Sequence, residues 1–167
     1  MKNLKSEIIK YSKMLNSKKL SALRSGNISL RFKNGFFITP SGKKYSSLKN
    51  SDIVFVSLNG YFDKKKGIPS SEWKFHQDIY RNKKDAKAIV HAHSVNATAV
   101  STHKRGIPPF HYMVAMAGGY NIKCAKYATF GTRELSNNIL KALKDRKACL
   151  IANHGQIAFE ENLSKAF

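Results

Sequence analysis

Two histidines one residue apart, in IVHAHS (89–94), are the side chains most suited to chemistry. In a strand, positions i and i+2 face the same way, so His91 and His93 project together. They form either a metal-binding pincer or two histidines on a solvated strand face. A third histidine, His154, precedes Gly155 at the end of the apolar run KACLIAN. Three histidines at strand ends can converge on one zinc, each nitrogen about 2.0–2.1 Å away, and leave a position open for substrate. Spacing alone equally allows three unrelated histidines. His76, His103 and His111 lie in helical or polar segments without a paired partner and are weaker as ligands.

Three turns rich in Gly, Ser and Asn form a second constellation: GNIS (26–29), TPSG (39–42) and PSSE (69–72). Such turns expose backbone N–H groups and hydroxyls, and Ser70-Ser71 at a helix start is suited to holding a phosphate. Each is common alone; here one of the three runs straight into a carboxylate, Glu72.

The elements that must position these residues follow from periodicity. Residues 3–24 carry apolar positions at helical spacing until Gly26 interrupts, and Phe75, Ile79 and Tyr80 repeat that spacing after Ser70-Ser71-Glu72. NISLRF (27–32) and FFIT (36–39) flank an Asn-Gly pair that favours a tight hairpin. DIVFVSL (52–58), DAKAIVHAH (85–93), KACLIAN (147–153) and QIAFE (156–160) read as further strands, SVNATAVSTHK as a helix and HYMVAM as extended. Thr132 is a candidate N-cap for GTRELSNNILKALKD, and Asn162 for a short helix at NLSKAF. Strands and helices mix throughout, so one mixed sheet covered by helices on its faces is expected.

At 167 residues, 42% of them hydrophobic, the chain can bury one real core. No apolar run approaches the roughly 18 residues of a membrane span, and the basic N-terminus lacks the apolar core and cleavage site of a signal peptide. Cys124 and Cys149 lie in apolar company and read as buried small hydrophobes in a reducing cytosol, which makes a cytoplasmic location the expectation. Lys and Arg number 30 against 10 Asp and Glu, a net charge of +20. That field attracts polyanions. The lysines are dispersed in pairs and triplets, however, with no arginine-rich helix, zinc finger or aromatic RNA-binding strand. They read as solvated faces that would draw a small phosphorylated substrate, and nucleic acid is not the expected partner.

The segments SGNISLRF, FFITPSG, DIVFVSLNG, PSSEWKFHQDIY, AIVHAHSVNATAVS, HYMVAMAGG, YATFGTRELS and ANHG, in this order, resemble the class II aldolase/adducin family. The likeness is strongest to its fuculose-phosphate aldolase branch and spans nearly the whole chain. It implies a single α/β domain over 1–167, a three-layer α/β/α sandwich around a mainly antiparallel sheet, assembled as a homotetramer with active sites between subunits. It also implies one zinc per subunit, held by His91, His93, His154 and Glu72, with Glu72 doubling as the catalytic base. Gly26, Asn27, Ser41, Gly42, Ser70 and Ser71 fall on the family's phosphate-binding positions. Ser41 stands where threonine is common and keeps the hydroxyl.

Tyr112 matches the tyrosine that protonates the aldehyde oxygen, reaching in from a neighbouring subunit. The implied reaction is cleavage of L-fuculose 1-phosphate, or a similar ketose 1-phosphate, to dihydroxyacetone phosphate and L-lactaldehyde. A carboxylate against an apolar wall can have its pKa raised toward working pH, which would suit Glu72 to the C3 proton. The alternatives within the superfamily are a methylthioribulose-1-phosphate dehydratase, a pentulose-phosphate 4-epimerase or a non-catalytic adducin-like binding protein. The family normally continues beyond NLSKAF with further helices and a tail closing over the neighbouring site. The chain is therefore expected to be a C-terminally truncated domain that binds better than it turns over.

Overall fold

The computed structural model describes residues 2–167. Its strands are β1 (Asn27–Phe32), β2 (Gly35–Ile38), β3 (Val54–Ser57), β4 (Ala88–Ala92), β5 (Lys123–Ala125), β6 (Ala148–Ile151) and β7 (Gly155–Glu160). They form one sheet in the order β3-β2-β1-β4-β7-β6-β5. Every pairing is antiparallel except β5 with β6, the pair joined through a helix. The helices are α1 (Lys2–Ser17), α2 (Trp73–Asn82), α3 (Val95–Thr102), α4 (Arg133–Ala142) and α5 (Leu163–Ala166). Helices α2 and α4 cover one face of the sheet, packing on Phe36, Ile38, Ile89, Ile151 and Ile157. Helices α1 and α5 cover the other, over Ile28, Leu30, Val90 and Ala92. The expected three-layer α/β/α arrangement around a mainly antiparallel sheet is what forms.

Local chemistry explains most boundaries. The Thr132 side chain accepts a hydrogen bond from Leu135 N–H at 3.2 Å, and Asn162 accepts from Lys165 N–H at 2.9 Å, so both anticipated caps are made. Burying side chains such as Leu135, Ile139 and Ile79, all fully enclosed, stabilises by about 1.5–3 kcal/mol each. Two expectations fail, and one strand was not anticipated. Helix α1 stops at Ser17 rather than near residue 24: Leu20 and Ser21 N–H both turn back to Leu15 O. HYMVAM is not extended but a 3-10 helix over Tyr112–Ala117, started by the His111 ring accepting from Met113 N–H. Strand β5 is three residues long, too short for its alternation to be seen in sequence. Among the described residues, no helix is long and apolar enough to cross a membrane.

Candidate metal centre and phosphate cavity

Strand β4 carries His91 on the face covered by α2, and His93 follows two residues on. Strand β7 pairs with β4, with Gln156 opposite Ala92, which brings the turn bearing His154 alongside His93. That approach needs Gly155: a Cβ there would lie 2.4 Å from Ala92 O and 3.2 Å from the His93 ring. Glu72 caps α2 from the facing layer. One ligand atom from each of Glu72, His91, His93 and His154 then falls within 4.8 Å of the others.

The hydrogen bonds around this cluster prepare it for a cation. His91 Nδ1–H donates to Gln156 O at 2.8 Å, which turns the Nε2 lone pair inward. That Nε2 lies 2.8 Å from His93 Nε2 and 3.2 Å from Glu72 Oε2. Burial and the charge of His91 push His93 down to about 3 and His154 to about 4, so both rings are neutral ligands at physiological pH. Burial pushes Glu72 upward, but the charge and hydrogen bond of His91, the charge of His154 and the Asn27 amide outweigh it and hold the carboxyl at about 2. The expectation of a raised Glu72 pKa is therefore not met, because polar groups and not an apolar wall surround it. Glu72 Oε1 is, among the described residues, the buried side-chain oxygen left without a hydrogen-bond partner. An ionised carboxylate, an orphaned oxygen and inward-facing imidazole nitrogens together fit a divalent cation.

A cavity of about 370 Å³ opens beside Glu72, His93 and His154. All six residues of the anticipated phosphate cradle line it: Gly26, Asn27, Ser41, Gly42, Ser70 and Ser71. Gly26 is required twice over, with φ +78° and a would-be Cβ only 2.6 Å from His91 O. Ser41 N–H and Ser70 N–H are spent on Ile68 O and Thr39 O, bonds that tie the second turn to the third. Asn27 also has partners behind the cavity wall. Its side chain is buried and engaged, donating through Nδ2 to Glu72 Oε2 at 2.9 Å and accepting on Oδ1 from His76.

Residues 6–167 match the model of the family described as class II aldolase and adducin N-terminal domain. The chain belongs to this family. It is 54% identical over 142 residues to the L-fuculose phosphate aldolase of Escherichia coli K12, covering 85% of this chain and 66% of that protein. It is 48% identical over 142 residues to a 5-methylthioribulose-1-phosphate/5-deoxyribulose-1-phosphate aldolase of Rhodospirillum rubrum, covering 85% and 64%. The chain thus spans about two thirds of the length of these curated relatives. A solved L-fuculose 1-phosphate aldolase superposes with a TM-score of 0.95 at 40% identity, over 99% of this chain and 79% of that one. The corresponding enzyme from Thermus thermophilus gives 0.84 at 29% identity, over 98% and 82%.

Within this class II aldolase domain, Tyr112 is not brought to the metal cluster. It stands 79% exposed on the 3-10 helix, beside Phe110 and His111 and outside the cavity. Two residues that sequence reasoning passed over do reach the site. Arg24 lines the cavity and donates from Nη1 to Gly42 O at 2.9 Å, placing the cavity's cation at its rim. His76 sits fully enclosed behind Asn27. Neither gave a signal, because the partner of each is far away along the chain.

Proposed function

We propose that residues 1–167 form a single zinc-dependent aldolase domain that cleaves L-fuculose 1-phosphate or a similar ketose 1-phosphate. The products are dihydroxyacetone phosphate and an aldehyde, L-lactaldehyde from fuculose 1-phosphate. What carries the proposal is the Glu72/His91/His93/His154 cluster opening onto a cavity lined by three phosphate-type turns. Glu72, His91, His93 and His154 would hold one zinc. Bound there, the cation supplies Lewis acidity that offsets the negative charge left on the dihydroxyacetone phosphate half.

The protein's own residues do the rest. Ser41, Gly42, Ser70, Ser71 and the backbone of Gly26 and Asn27 hold the phosphate, remote from the bond that breaks, so its binding energy orients the substrate. On cleavage the C3–C4 electron pair stays with C3, and C4 becomes the aldehyde carbon as its hydroxyl loses a proton. Tyr112, presented by a second copy of the chain in a homotetramer, takes that proton. Glu72 exchanges the proton at C3: ionised at rest, it abstracts that proton in the condensation direction. In cleavage it first takes up the C3 hydroxyl proton and delivers it to carbon, the proton held by Tyr112 returning through solvent to the C3 oxygen. Such an enzyme of small phosphorylated sugars would work in the cytoplasm.

A second reading, cleavage of a 5-deoxypentulose 1-phosphate, is favoured by the 48% identity to the Rhodospirillum rubrum aldolase. Incubation with a panel of ketose 1-phosphates, read by dihydroxyacetone phosphate release, separates the two. Fastest release from fuculose 1-phosphate supports the first reading and fastest release from methylthioribulose 1-phosphate the second. Dehydration or epimerisation products without dihydroxyacetone phosphate would overturn both.

A further inference from the structure

His76 is fully buried yet belongs neither to the metal cluster nor to the cavity wall. Its ring is clamped between Phe75 and Phe36, with centroids 4.9 and 6.4 Å away and planes within 23° and 18° of parallel. Both nitrogens are used: Nε2 lies 2.5 Å from Asn27 Oδ1, and Nδ1 lies 2.7 Å from Ser29 Oγ. Ser29 Oγ in turn lies 2.8 Å from the Tyr80 hydroxyl. The far end is anchored by Arg31, whose guanidinium stacks 4.8 Å over the Tyr80 ring and donates to the Tyr80 carbonyl.

The direction of these bonds is fixed by what each atom can do. The Glu72 carboxylate only accepts, so Asn27 turns Nδ2 toward it and Oδ1 away. Oδ1 only accepts, so His76 carries its proton on Nε2. A neutral His76 then accepts on Nδ1 from Ser29, and Ser29, its one proton spent, accepts from Tyr80. Burial holds the His76 imidazole down at about 3, consistent with the neutral ring. Every donor therefore points along one line, Tyr80 to Ser29 to His76 to Asn27 to Glu72. Were the Asn27 amide to flip, its oxygen would face the carboxylate and its NH₂ would face the His76 N–H.

We propose that His76 is a positioning residue for Glu72: by donating to Asn27 Oδ1 it locks the one amide orientation that lets Asn27 hold the carboxylate toward the metal cluster. The lock is built from two periodicities in register. Asn27 and Ser29 share one face of β1, while Glu72, His76 and Tyr80 recur every fourth residue along one side of α2. The role assigned to Glu72 rests on the aldolase reading above; the hydrogen-bond lock does not.

The test therefore has a metal-free arm and a loaded arm. In the metal-free protein, ¹⁵N NMR of the imidazoles should place the His76 proton on Nε2, and the Asn27 amide resonances should move in His76→Phe but hold in His76→Gln, which retains a donor at that place. In the cobalt(II)-loaded protein, the visible spectrum of His76→Phe should shift toward that of Glu72→Gln. Its kcat for ketose 1-phosphate should fall about 10- to 100-fold with KM little changed, and His76→Gln should recover most of it. A His76 proton on Nδ1 would overturn the proposal, and that readout needs no variant to fold. So would a His76→Phe protein with wild-type cobalt spectrum and wild-type kcat per folded molecule, its loss confined to Tm. A wild-type chain that takes up no cobalt and cleaves nothing would overturn the aldolase reading instead, leaving the lock to be decided by NMR.

Discussion

Glu72 and Tyr112 are both proposed to move protons, yet Glu72 is 7% exposed and Tyr112 79%. Glu72 is held by a helix start, by Asn27 and by three imidazoles, all from its own chain. Around Tyr112, Met113 and Met116 on the same 3-10 helix and Phe110 and Tyr120 flanking it also stand exposed. Exposed apolar side chains grouped in this way suit a surface for another molecule, the second copy of the proposed assembly. On the proposed reading, one chain builds the half of the site that must be rigid, the carboxylate and the candidate cation ligands. In the proposed homotetramer, the half that meets the aldehyde would be completed by a second copy seated on this face.

That contrast is broken most severely at Glu72. Glu72→Gln keeps the shape and the Asn27 contact but removes the exchangeable charge, so kcat for ketose 1-phosphate cleavage should drop about 10²- to 10⁴-fold. Unchanged turnover would remove the base from the account. Tyr112→Phe should cost less, about 10- to 100-fold in kcat, with metal content and Tm as in the wild type because the side chain is largely exposed. Specific activity should also fall on dilution if a second copy supplies this residue, and activity independent of concentration would argue for a site complete within one chain. Ser71→Ala, at the exposed lip of the cradle, should raise KM for the phosphorylated substrate by about tenfold with kcat little changed, the worth of one hydrogen bond to a charged group.

The smallest effect sharpens the contrast without any substitution. His76, His93 and His154 stay neutral to about 3, 3 and 4, well below the ordinary imidazole value of 6.5, chiefly because they are buried. Between pH 6.5 and about 4 the unfolded chain consequently binds more protons than the fold. The metal-free protein should lose Tm steadily as pH falls through that window. A flat Tm from pH 7 to 4 would mean that these rings are not enclosed as described.

How much of this was legible in the sequence follows the same division. Strands β1, β4, β6 and β7 showed themselves because each alternates or runs apolar between strong turn residues, and the three candidate metal-binding histidines sit at or just beyond their ends. The cradle was visible because Gly, Ser and Asn cluster in turns. The use of Asn27 was not, since its partners Glu72 and His76 lie 45 and 49 residues away and only the β1–α2 packing reveals them. His76 was passed over for that reason: a histidine on a helix announces nothing until the strand beneath it supplies an acceptor. HYMVAM misled because its apolar residues fit a strand, while the His111 cap that turns it into a 3-10 helix is a single side-chain contact.

Whether Glu72, His91, His93 and His154 hold one cation, as proposed, is decided by metal analysis of the purified protein. The expected content is about one zinc per chain, and close to none in a His91→Ala/His93→Ala double variant that remains folded. A metal-free wild type after zinc loading, or a double variant with full zinc content, would contradict it.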